Sequence, residues 1–169
     1  MSLWIPESKL ETAKQWLTGS GKLRTAENAP YWNARVTGAT YAPRDFEGGY
    51  DAAITFQLSP FRYIASDSVT LTGASYLSNP ESVFSEPLMT ITGSGEASIT
   101  IGSQMLYLHG FPEGGQLIIN TERQECYWGD TTYNNLMEGA FPVLEPGTVA
   151  VSWTGGITQI TVDRRLRRI

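Results

Sequence analysis

From Leu88 to the C-terminus the chain falls into short apolar or alternating runs, with glycine or proline between them about every ten residues. A two-residue period places successive side chains on opposite faces of a strand, and runs this short between turn residues predict an antiparallel β-sandwich or barrel. Leu88–Thr92 stops at Gly93-Ser94-Gly95, and Ala97–Ile101 turns at Gly102-Ser103. Met105–Leu108 leads into a loop at Gly110–Gly115, and Leu117–Ile119 follows. Thr148–Trp153 and Ile157–Val162 flank Thr154-Gly155-Gly156, which reads as a tight hairpin. No repeat of about 20–50 residues is present, which excludes solenoids and propellers. Between these runs, Glu122–Trp153 joins a Tyr/Trp strand to Asn134-Asn135, Phe141–Leu144 and Pro146-Gly147. It reads as a long connection, pinned to the core by Phe141, Val143 and Leu144 and bent by its prolines.

The region before Leu88 has a different grammar. Pro6–Leu17 predicts the one helix: Pro6 suits a first turn, Glu7 the positive end, and Gly19 a stop. Leu10, Ala13 and Leu17 share a face with Trp16 beside it, and a helix this short needs something to pack on. Trp32, Ala34 and Val36 alternate with polar residues until Tyr41–Asp45 breaks the run. Asp45–Tyr50 reads as a turn, then Ala52, Ile54, Phe56 and Leu58 line one side of a strand, and Ser59–Tyr63 ends that unit. Ala65–Pro87 is rich in Ser, Thr, Asn and Gly, with Asn79-Pro80 and Glu86-Pro87 as breakers and Val69-Thr70-Leu71 as a short strand. The fold class is therefore mainly β, with domains expected at 1–64, a small α+β segment, and 65–169, the sandwich. A segment near 60 residues buries only about 60% of its unfolded surface, so the first part is expected to lean on another surface.

Charge and cysteine usage narrow the function. The 169 residues carry a formal −5, but Asp163–Ile169 holds four of the 12 basic residues and one of the 17 acids. That local +3 leaves −8 on the remaining 162 residues. An acidic body argues against nucleic acid, whose phosphates need clustered Lys or Arg. No run approaches the roughly 18 apolar residues of a membrane helix, and the N-terminus lacks the cationic start and apolar core of a secretory signal, so no membrane partner is expected. Cys126 is the only cysteine, which removes a disulfide framework and a Cys-rich zinc site and reads as a small, half-buried strand residue.

No residue constellation points to catalysis, and no cofactor or metal is expected. His109, the only histidine, stands at a strand end with no motif directed at it and reads as a hydrogen-bonded turn residue. Glu122, Glu125 and Asp130 read as solvent-facing acids on a hairpin, since a glycosidase pair needs opposed carboxyls across a cleft with separated pKa values. The glycine pairs lack the helix and lysine of a phosphate loop.

Ser85–Gly95, Leu117–Glu122, Asn134–Gly147 and the closing Val162-Asp163-Arg164-Arg165-Leu166-Arg167, in that order and spacing, resemble the distal tail (Dit) proteins of long-tailed phages and prophages of Gram-positive bacteria. Trp16-Leu17, Trp32-Asn33-Ala34 and Phe56–Tyr63 resemble the later half of that family's N-terminal domain. The resemblance implies a galectin-like C-terminal β-sandwich and a non-catalytic hub, a structural virion protein of siphovirus tails or baseplates. Its implied partners are itself, in a hexameric ring, the tail tube protein, the tail-tip protein and receptor-binding proteins. Its implied place is the virion tail tip, assembled in the host cytoplasm. The family carries more strands before the helix, so this chain is expected to be a shortened version or a fragment.

Two sets of surface residues follow as expectations. A galectin-like fold raises carbohydrate binding as the alternative function, contact with host cell-wall glycans, and His109, Asn120, Arg123, Trp128 and Glu138 supply suitable residue types, although the compact His-x-Asn-x-Arg spacing is missing. Trp16, Trp32, Arg164, Arg165, Arg167 and Arg168 are the expected subunit-interface residues. On a strand, Arg165 and Arg167 would share one face, and arginine pairs well with carboxylates at interfaces.

Overall fold

The computed structural model describes residues 1–27, 29–44, 48–64 and 68–169. The chain separates into two compact units, Met1–Arg62 and Tyr63–Ile169. The domain boundary expected after residue 64 falls on residues 65–67, outside the described residues.

In the first unit β1 (Ser2–Pro6) precedes a single 3-10 turn (Glu7–Lys9) and helix α1 (Leu10–Trp16), and β2 (Ser20–Arg24), β3 (Tyr31–Arg44) and β4 (Gly49–Tyr63) follow. The strand order is β1-β4-β3-β2. The helix was expected from Pro6, but Pro6 is extended, with φ −61° and ψ 145°, and only caps the 3-10 turn. It belongs instead to β1, where Leu3 and Ile5 turn inward and Trp4 outward. Five residues starting beside the chain end carry too little alternation to announce a strand, which is why β1 was not anticipated. β2 was missed for a different reason: it is an almost wholly exposed strand of polar and charged residues, the composition that keeps open sheet edges from pairing indiscriminately. One expected break does not occur. β3 runs on through Pro43, one residue from its end. Proline is tolerated where no ladder bond is required of it. Of the turn expected at Asp45–Tyr50, residues 45–47 lie outside the described residues, and Gly49 and Tyr50 already belong to β4. Ala13 and Leu17 of the helix end pack on Ile5, Ala52 and Ile54, and these three are the only fully buried members of that cluster among the described residues.

The second unit contains β5 (Ser68–Leu71), β6 (Ser75–Asn79), β7 (Leu88–Ile101), β8 (Gln104–Leu108), β9 (Gln116–Asn120), β10 (Glu125–Trp128), β11 (Thr131–Thr132), β12 (Met137–Gly139), β13 (Gly147–Asp163) and β14 (Arg167–Arg168). The main departure from expectation concerns β7 and β13. Gly93-Ser94-Gly95 does not end a strand, and Gly155-Gly156 is not a hairpin. Each lies inside one long strand, and β7 pairs antiparallel with Val151–Asp163 of β13. The glycines of the two strands sit at the same place along the ladder: Gly155 is opposite Ala97 and Gly93 opposite Ile157, with register shifts on either side of Ile157. Inward residues of β13 accordingly change parity, from Val149 and Val151 to Ile160 and Val162. One extra residue in a strand does this, and it also bends the ribbon.

The bend divides the ladder into two arms. Leu88–Thr92 of β7 pairs with β9, which continues through β10 to β11, while the far half of β13 pairs with β5. Ala97–Ile101 of β7 pairs with β8 and through it β12, while the near half of β13 pairs with β6. Met89, Ile91, Leu117 and Ile119 from the first arm and Ile99, Leu106, Leu108 and Val151 from the second belong to one buried cluster. The protein is thus mainly β, with an antiparallel sandwich whose sheets are joined by strands that turn a corner at glycine.

The connection ahead of β13 is held by side chains from several strands. Gln104 bonds both ways to the Val143 backbone at 3.0 and 2.9 Å, and Thr121 Oγ1 donates to the Pro142 carbonyl at 2.9 Å. Buried Asn79 donates to the Leu144 carbonyl at 2.9 Å, and Ser85 and Leu144 form a bridge. Leu144 is fully buried and Phe141 packs against the core, as their apolar character predicts.

Candidate functional site

The C-terminal arginines do not form one alternating strand. Arg165 has φ 45°, and the chain leaves strand geometry between Asp163 and Arg167. The left-handed kink replaces the two-face pattern expected from spacing, and it directs three arginines into the sandwich unit itself. Arg167 is 3% exposed. Its Nε donates to the Phe84 carbonyl at 3.0 Å, Nη1 bonds the Glu86 carboxylate at 2.6 Å, and the guanidinium lies 4.7 Å from the Phe84 ring centroid. Burial pushes the Tyr63 hydroxyl above its ordinary pKa, against the pull of its hydrogen bond to Arg167. Arg165 bridges Asn120 Oδ1 and Glu122 at 3.0 Å each, and Arg164 donates to the Ser78 carbonyl at 2.7 Å. Only Arg168 is exposed, 3.5 Å from Glu81. The charge cluster read from sequence is therefore largely an internal latch on residues 78–86 and 120–122.

Large exposed apolar side chains occur in both units. In the first unit Trp16 is 81% exposed and Trp4 51%, and Leu58 is also exposed. Trp32 is half-buried, with the Arg62 guanidinium 4.8 Å over its ring. A shallow concavity of ≈ 670 Å³ crosses β2, β3 and β4, lined by Lys22, Asn33, Arg35, Gln57, Leu58 and Pro60 among others. Of the expected interface residues, Trp16 presents the largest free side chain. Trp4, like the other aromatics of this unit a candidate for subunit contacts on sequence grounds, points outward from β1, and Leu58, read as lining one side of its strand, is exposed.

The residues suggested for sugar binding are not gathered in one place. His109 Nε2, just past β8, and Glu138 Oε2, in the middle of β12, are 3.0 Å apart, and both residues are exposed. Asn120 is buried and engaged by Arg165. Arg123 lines a separate polar hollow with Glu125, Tyr127 and Asp130 beside the β10–β11 hairpin. Trp128 is half-buried at the end of β10. Cys126, expected to be half-buried, is fully buried, and desolvation raises its thiol from 9.0 to about 11. Among the described residues no three His, Cys, Asp or Glu side chains come together as metal ligands would.

No protein-family model matches the chain, and no curated protein matches it. Among solved structures the chain is similar to the crystal structure of the phage SPP1 Dit protein, described as a paradigm of the hub adsorption apparatus in phages infecting Gram-positive bacteria. The TM-score is 0.65 at 13% identity, covering 92% of this chain and 70% of that chain. At that identity the likeness shows a shared fold.

Proposed function

We propose that the chain is a structural, non-catalytic subunit of a phage or prophage tail tip, a hub that joins the tail tube to tip and receptor-binding proteins. The observation that carries this reading is the fold match over 92% of the chain to a protein described as part of a hub adsorption apparatus. The first unit supports it physically. Three fully buried apolar residues in its main cluster give little independent stability, while Trp4, Trp16 and Leu58 remain exposed. Large aromatic side chains left on a thin core are what subunit contacts use. In this reading unit 1 belongs to a ring-forming domain, six copies close the ring, and the particle assembles in the host cytoplasm before the subunit takes its place at the virion tail tip.

Light scattering and negative-stain microscopy on this chain and any longer natural form test the proposal. A closed ring that binds tail-tube and tip proteins is expected. A protein that stays monomeric at high concentration and ignores both overturns it.

A further inference from the structure

The outer face of the second sandwich arm carries a polar row that the assembly reading does not use. Thr154 of β13 is opposite Ser98 of β7, Ser98 is opposite Tyr107 of β8, and Tyr107 is opposite Glu138 of β12. Four neighbouring strands thus set two small hydroxyls, a phenol and a carboxylate side by side over about 14 Å. Their strand neighbours Ile99, Leu106 and Leu108 point into the core, which fixes the row on the outside. The row borders a depression of ≈ 300 Å³ lined by Glu96, Ser98, Tyr107, His109 and Thr154 among others. Tyr107, 47% exposed, lines this depression beside the shorter Ser98 and Thr154 side chains.

We infer that this row binds an uncharged or amino-sugar oligosaccharide. The Ser98 and Thr154 hydroxyls share one hydrogen bond at 2.7 Å, which leaves one donor and further lone pairs for a ligand. The 3.0 Å contact of His109 with Glu138 Oε2 orients that carboxylate and leaves its second oxygen to accept from ligand hydroxyls. A pyranose matches such a surface, since its hydroxyls alternate as donor and acceptor around a ring whose C–H face stacks on an aromatic side chain. Charge excludes the acidic glycans. Glu96 and Glu138 flank the depression against a single histidine, and residues 63–169 hold 11 acids and five arginines, four of which are the C-terminal arginines described above. A peptide strand is a poorer occupant, because Ser98, Tyr107 and Thr154 lie inside the ladder and offer no free backbone edge.

Proton–nitrogen NMR titration of the full chain tests this with maltotetraose, chitotetraose and a polygalacturonate oligomer. Saturable shifts confined to residues 96–109, 137–139 and 152–156 are expected with at least one neutral probe. Tyr107→Ala should weaken that binding about tenfold, and Glu138→Gln should weaken it with the fold unchanged by circular dichroism. Arg123→Ala, beside the separate hollow, should leave it unaltered. Shifts with neither neutral probe, shifts centred on the Arg123–Asp130 hairpin, or equal binding of polygalacturonate would overturn the inference. It stands on the row's geometry alone, so sugar binding by a chain that forms no ring, or a ring that binds no sugar, separates it from the assembly reading.

Discussion

A Cβ added at Gly156 would fall on the Ser94 carbonyl oxygen, and one at Gly155, whose φ is 84°, on that of Glu96. Both contacts are with backbone across the β7–β13 corner, so no side chain can move aside. Gly156→Ala is therefore expected to destabilise the fold by about 1–3 kcal/mol or more, as overpacking does. Gly73→Ala, where nothing lies within 4 Å, should stay within about 0.5 kcal/mol, as surface changes usually do. Urea midpoints of the two variants check this, and equal midpoints would refute the glycine-corner explanation. Cys126 tests burial in another way. Its folded thiol keeps its proton up to about pH 11, while the unfolded thiol loses it from 9.0. The folded state then holds more protons than the unfolded state between these values, so its stability contribution is full below pH 9 and declines toward pH 11. At neutral pH a thiol reagent should react only as fast as the protein opens, and rapid stoichiometric labelling of the native state would contradict this.

At the scale of elements, the C-terminal segment acts as a latch whose strength resides in Arg167. Removing one partner of a buried ion pair costs about 3–5 kcal/mol. Glu86 keeps 30% side-chain exposure, so Arg167→Ala should cost somewhat less, about 2–4 kcal/mol, visible as a lowered melting temperature. Arg168→Ala, at an exposed pair, should be close to neutral. Equal effects would show that the latch has been misassigned. The same segment shows what the sequence could convey. Its four arginines and its terminal position were plain, but the left-handed kink at Arg165 depends on partners at Asn120 and Glu122, more than forty residues away. Short apolar runs between turn residues located β8, β9 and the core of β5, and a Tyr/Trp run located β10. Local pattern misled at Gly93–Gly95 and Gly155-Gly156, since a glycine pair signals a turn to local reading and a sheet corner only when its opposite strand is known. The candidate sugar row was hidden for the same reason: Ser98, Tyr107, Glu138 and Thr154 become neighbours only through register. His109 and Glu138 were named from residue type alone, and their contact needed β12, a three-residue strand with too little pattern to notice.

At the scale of the whole molecule, the two units have very different reserves. The second encloses one buried cluster drawn from both sheets, from Leu71 to Val162. The first has three fully buried apolar residues in its main cluster. Burial of apolar surface is the dominant favourable term in folding, so the units should not unfold together. Hydrogen exchange should be fast across β3 and β4 and slow across β7 and β13, because protection follows local stability. Assembly adds a second dependence. If copies associate through the exposed tryptophans of the first unit, folding of that unit is linked to association and its transition rises with protein concentration. The transition of the second unit should not move. Calorimetry at increasing concentrations should then show a lower transition that climbs and an upper one that stays. Trp16→Ala should hold the lower transition at its dilute value while costing little there, because a side chain 81% exposed contributes little to its own unit. A lower transition indifferent to concentration in the unsubstituted chain would remove the physical support for the ring.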